Sequence, residues 1–197
     1  MLDKDRSFTA TLSIGDAPIT FLREAADRDV WVTSPGRDPS ELQLLNASQA
    51  LGCLPGPDED WDHERDLGLV DFHIVEAPPA LLYFRYTAGS YRVYARSGPQ
   101  FGQGVFSTDH GMLEARPVTT RDPDLWRLDD ASTGKPLDIR TAENNPQVRL
   151  ALSAGRTPVI AMGIAVAGGY LVAVPGKSTA TLSLTIVERG ADWLSAK

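Results

Sequence analysis

The sequence predicts an all-β, antiparallel fold, either a β-sandwich or a β-trefoil-like barrel of about a dozen or more short strands. Three observations lead there. Short runs alternate apolar with polar residues, the period of a half-buried strand. Turn-forming glycine, proline, asparagine and aspartate interrupt these runs at spacings of about ten residues. No stretch carries the wide apolar stripe of an amphipathic helix.

The most apolar stretch, TPVIAMGIAVAGGYLVAVPG (Thr157–Gly176), organises the rest. It lies between Arg156 and Lys177 without a charge, long enough for a transmembrane helix. Its composition argues against one. Pro158 and Pro175 bracket it, Gly163, Gly168 and Gly169 interrupt it, and its bulk is Val and Ile with Ala between. Ile160, Met162, Ile164 and Val166 share one strand face, while Val159, Ala161, Gly163 and Ala165 share the other. The stretch reads as a buried hairpin that turns at Gly168-Gly169 with positive φ. With a following strand over Leu182–Val187, it is expected at the centre of the fold.

Upstream, Phe8–Ile14 alternates as a half-buried strand and ends at the turn signal Gly15-Asp16. Ile19–Arg23 and Val30–Thr33 read as short strands, and SPGRDPS (Ser34–Ser40) as a loop. Glu41–Leu45 reads as a strand, with helical turns at Glu24–Ala26 and Ala47–Leu51. Gly52–Asp66 reads as irregular and acidic. Leu69–Glu76, Leu81–Tyr86 and Tyr91–Arg96 read as strands, the last two joined at Ala88-Gly89-Ser90. Val105-Phe106, Met112–Val118, Leu125–Leu128, Leu137–Arg140 and Val148–Leu152 complete the set. The strand-turn-strand plan recurs four times, over Pro18–Ala47, Ala80–Thr108, Asp124–Ala154 and Thr157–Val187. The chain is read as one domain, 1–197, with loop insertions near 48–79 and 109–123.

At 197 residues, with 42% hydrophobic and 23% charged, the chain has the material for a substantial core. A net charge of −7 with no basic cluster argues against nucleic acid as partner. Cys53 is the only cysteine, so no intramolecular disulfide is available. MLDKDRSFTATLSI lacks an apolar signal core, so a cytoplasmic protein, or one exported without a classical signal peptide, is expected. No integral membrane span is expected.

The motifs of common chemistries are missing. There is no G-x-S-x-G elbow, Walker A loop or dinucleotide fingerprint. GPQFGQG (Gly98–Gly104) lies between strands, where no helix N-terminus cradles a phosphate. His63, His73 and His110 form no ligand pair, so no metal site and no cofactor are expected. The acidic run Asp58–Asp66 lacks the spaced register of a calcium loop and reads as a solvated insertion.

Two stretches suggest recognition. Tyr83, Phe84, Tyr86, Tyr91 and Tyr94 crowd two adjacent strands together with Arg85, Arg92 and Arg96. Tyr and Arg are enriched at interfaces, so Tyr83, Arg85, Arg92, Tyr94 and Arg96 are candidate binding residues. The other stretch is GKPLDIRTAENNPQVRLAL (Gly134–Leu152), which resembles one repeat of the ricin-B-type lectins. The resemblance implies that Asp138 is a sugar-binding aspartate. Pro136, Arg149 and Ala151 stand where that family has cysteine, glutamine and an aromatic residue.

These readings predict a non-enzymatic recognition or assembly protein that binds a protein partner or forms a homo-oligomer. The alternative is a carbohydrate-binding, lectin-like module of the kind associated with toxins, and the third reading is a small β-scaffold hydrolase.

Overall fold

The computed structural model describes residues 3–35, 42–55, 58–164 and 168–193. In these the chain forms β1 (Phe8–Ile14), β2 (Ala17–Pro18), β3 (Thr20–Phe21), the single turn α1 (Leu22–Ala25), β4 (Trp31–Pro35), β5 (Leu42–Asn46) and β6 (Leu51–Cys53). The helix α2 (Asp58–Asp66) follows, then β7 (Leu82–Thr87), β8 (Ser90–Ala95), β9 (Gly104–Ser107) and β10 (Leu113–Arg116). The chain closes with β11 (Leu125–Asp130), β12 (Gln147–Leu152), β13 (Thr157–Ile164), β14 (Gly168–Ala173) and β15 (Thr181–Arg189). All strand pairing is antiparallel, and the all-β expectation holds.

Six strands close a barrel in the order β1-β7-β8-β11-β12-β15, and β15 pairs back onto β1. The interior follows from the period of two. Phe8, Ala10 and Leu12 of β1 point inward, as do Leu82 and Phe84, Tyr91 and Val93, Trp126 and Leu128, Val148 and Leu150, and Leu182 and Leu184. A six-stranded barrel is narrow enough for such side chains to fill it. Phe8 stacks on Phe84 with ring centroids 4.7 Å apart, and the buried Trp126 indole donates to the Val105 carbonyl at 3.3 Å.

Six of the remaining strands cap one barrel end, while β2 pairs with β1 and β4 with β5 in a sheet of their own. β3 pairs with β6, β9 with β10 and β13 with β14. These three pairs meet in a ring: Tyr170 opposes Gly52, Ala50 bridges to Glu114, and Met112 bridges to Val172. Each of three consecutive stretches thus gives two strands to the barrel and one pair to the cap. That is the trefoil arrangement, with three units where the sequence suggested four. The ring is tight at Gly52, where an added Cβ would lie 2.4 Å from the Gly169 carbonyl oxygen.

The first unit carries the long insertions, 22–50 and 54–81, which build a second core beside the cap. Leu22, Val30, Val32, Ala47, Leu54, Trp61 and Phe72 pack there against Ile164, Tyr170 and Val172.

Several expectations are corrected. The acidic run Asp58–Asp66 is a helix, anchored by Trp61, which is 2% exposed and lies 5.5 Å from the Phe72 ring. Leu69–Glu76 forms no strand beyond a bridge from Ile74 to Ala26, and Leu137–Arg140 is a turn. Gly168 and Gly169 lie in β14, opposite Ile164 and Gly163, without positive φ. Their small size serves close packing instead: a Cβ at Gly168 would meet Leu54 at 2.8 Å and Trp61 at 3.0 Å. The hairpin they belong to forms part of the cap, so the centre of the fold is the barrel. Residues 36–40 of the expected loop, Val166, and the turn between β13 and β14 lie outside the described residues. Ile164 is buried as expected. Among the described residues, no helix is long and apolar enough to cross a membrane.

Candidate functional site

The β7–β8 hairpin was the first candidate. Its register pairs Tyr83 with Tyr94 and Arg85 with Arg92 on the outer barrel face, with Phe84, Tyr91 and Val93 on the inner one. The two outer tyrosines, expected as binding residues, are packed inside the fold. Trp193 folds back over both rings at 5.7 Å and 5.9 Å, and with Ala191 it seals them into a third apolar cluster. Tyr83 and Tyr94 are 2% and 4% exposed. Burial pushes both hydroxyls up in pKa, opposed by hydrogen bonds from Ser7 to Tyr83 and from Arg85 to Tyr94. Arg92 is held by the Pro123 carbonyl and by Asp122 at 3.4 Å, while Arg96 lies over the Trp193 ring. Packing of these rings was the ordinary outcome for a hairpin this rich in aromatics.

The same hairpin contributes to a different place through its turn. Ala88 and Gly89 both hold positive φ, 49° and 86°, the geometry of a two-residue turn whose twist matches the strands. This turn sits at the barrel end remote from the cap. Beside it, β11 runs on past its last pair with β8, Trp126 with Tyr91. The chain covers that overhanging edge itself: Leu137 donates to the Leu128 carbonyl at 2.9 Å, and Asp130 donates to the Lys135 carbonyl at 2.8 Å.

A cleft of about 430 Å³ opens between the turn, the end of β11, the segment Pro136–Arg140 and the residues after β12. Its floor is Leu128, Leu137 and the ring of Tyr91; its walls carry Arg6, Arg127, Arg140 and Arg156 with Asp129 and Asp138. Two backbone arrangements hold the far wall. Asp130 accepts from the Ser132 and Thr133 amides at 2.9 Å and 2.8 Å, closing the turn after β11. Arg189, at the end of β15, donates to the carbonyls of Ile139, Ala142 and Glu143, which ties the loop to the barrel. Ile139 is thereby buried as the plug of this barrel end.

The electrostatics are ordered. Arg140 grips Asp138 with Nε to Oδ1 at 2.8 Å and a second nitrogen to Oδ2 at 2.6 Å. This fork holds the Asp138 carboxyl at about 2, against a smaller opposing effect of burial. Arg127 pairs with Asp129 at 2.8 Å. Arg6 donates to the Tyr86 hydroxyl at 2.6 Å and lies over its ring. Tyr91, beneath, is pushed up to about 12, chiefly by burial and then by Tyr86. The Ser153 hydroxyl donates to that of Ser90 at 2.9 Å.

Compared with known proteins, the chain matches no family model, no curated protein and no solved structure. The site is therefore read from its residues alone. Of the sequence candidates, only Asp138 lies in the cleft. Arg85, Arg92 and Arg96 do not line it, and Tyr83 and Tyr94 are interior. Sequence reading missed Arg6, Arg127, Arg140 and Arg156, which are distant along the chain. A signal existed for four of the cleft residues: Arg127-Leu128-Asp129 and Asp138-Ile139-Arg140 each place opposite charges two residues apart around a buried apolar residue. Among the described residues, no three of His, Cys, Asp and Glu gather where they would hold a metal.

Proposed function

We propose that the protein is a non-enzymatic recognition module that receives a polar group of a partner macromolecule in the barrel-end cleft. The observation that carries this reading is the cleft itself: an apolar floor ringed by charged and hydroxyl groups, the general make-up of a ligand site, on loops held by a rigid barrel. The state of Asp138 supports an ionised binding group over a general acid. A general acid at neutral pH needs a raised pKa, whereas the Arg140 fork lowers this one.

The experiment is retention on immobilised panels of glycans and charged peptides, with wild type and Ser153→Trp compared and native mass measured alongside. Ser153 lines the cleft, and an indole there fills the mouth. Wild type should bind a restricted set, and the variant should lose it while keeping the wild-type circular dichroism. Equal binding by the variant, or no retention of wild type on either panel, refutes the reading.

A further inference from the structure

The cleft has the opposite charge from the rest of the chain. Its four arginines exceed its two aspartates by two positive charges, 4 − 2 = +2, in a protein of net −7. The two aspartates are already engaged by Arg127 and Arg140. Arg156 differs: among the described residues, its side chain makes no ion pair or hydrogen bond. It is exposed at the cleft wall.

Its backbone is also unusual. Arg156 has φ 50°, directly after Gly155 at φ 68°. A non-glycine residue in the left-handed region is uncommon and costs energy. Such outliers cluster where a binding or catalytic group must be aimed, and this one sets a guanidinium at the cleft wall.

The form of the ligand follows from what surrounds Arg156. A peptide adding as a strand needs an open sheet edge, but segment 135–137 already occupies the β11 overhang. A compact group fits better. The Ser90 and Ser153 hydroxyls, the half-buried Tyr86 and the carboxylate oxygens of Asp129 offer donors and acceptors suited to a polyhydroxylated ring. A guanidinium with unused donors suits a carboxylate.

We infer that the cleft binds an acidic saccharide, with Arg156 receiving its carboxylate. This rests on the recognition reading above and goes further by naming the ligand chemistry. The test is calorimetric titration of the full chain at low ionic strength with tri-galacturonate, maltotriose and a tetraglutamate peptide. Tri-galacturonate should bind saturably and more weakly as salt rises, whereas maltotriose and the peptide should not bind measurably. Arg156→Gln should weaken binding by about tenfold or more, as expected for loss of a charged hydrogen bond. Arg156→Lys should recover part of it, and Lys177→Gln, a charge change outside the cleft, should leave it unaltered. Circular dichroism of each variant separates lost binding from lost folding.

Equal binding of maltotriose overturns the anion site while leaving a glycan-recognising cleft. Binding of the peptide in place of the saccharide, or equal losses in Arg156→Gln and Lys177→Gln, overturns the inference as well. No binding by any probe also overturns it, and the recognition reading is then judged independently by the Ser153→Trp comparison.

Discussion

Asp138 and Arg140 lie two residues apart on a turn, and their forked contact gives that turn a dependence on acid. The Asp138 carboxyl is held at about 2 in the fold and titrates near 4 in an unfolded chain. A depressed folded value contributes stability above the unfolded value, and that contribution is lost as pH falls through the folded one. With the carboxylate 42% exposed, solvent screening keeps the contribution small. Asp138→Asn should therefore lower the urea midpoint slightly at pH 7, and the gap to wild type should close between about pH 4 and pH 2. A gap that persists unchanged at the acid end rules out the ion pair as its source. At this scale the sequence was partly legible. Asp138 could be singled out by resemblance, but its commitment to Arg140 could not, because the pairing depends on a turn where alternation suggested a strand. Tyr83 and Tyr94 were misread for a related reason: the residue that covers them, Trp193, is about a hundred positions away in the chain, and only the fold brings it near.

The helix α2 shows why a whole element escaped prediction. Of DEDWDHERD only Trp61 is apolar, so no stripe recurs at helical spacing. The segment is helical because that one indole is buried among Phe72 and the β14 glycine Gly168, with Glu64 one turn later on the same buried face. Helices shorter than about a dozen residues rarely persist alone in water, so docking supplies the stability. Trp61→Ala should cost about 3–5 kcal/mol in urea unfolding, the range for a large buried aromatic. Trp61→Phe should cost much less, because the buried indole N–H it removes has no hydrogen-bond partner among the described residues. If Trp61→Ala leaves stability unchanged, the insertion is an appendage and the second core does not depend on it. The barrel strands were legible by contrast, since alternate residues of each face the core; Phe8–Ile14 was read with its true bounds.

At the scale of the whole molecule, the barrel is closed by its first strand and its last described one. Phe8 stands opposite Arg189 and Ser13 opposite Ser183, with Ala191 donating to the Ser7 carbonyl at 3.1 Å. The trefoil plan was among the alternatives read from the strands, but the long insertions of the first unit disguised the threefold repeat, so that four uneven units were counted. Ending the chain at Lys177 removes β15 and opens two barrel seams, those with β1 and β12. The shortened protein should lose cooperative unfolding and aggregate, as read by circular dichroism and sedimentation; a truncated chain that melts as sharply as the full one refutes closure as the source of cooperativity. The same seam sets a schedule for synthesis. Domains that fold as they are made proceed from the N-terminus, but β1 has an unpaired edge here until Thr181–Arg189 has left the ribosome. During most of translation that edge is an open template for other strands, so the nascent chain is expected to depend on holding factors until its last strand arrives.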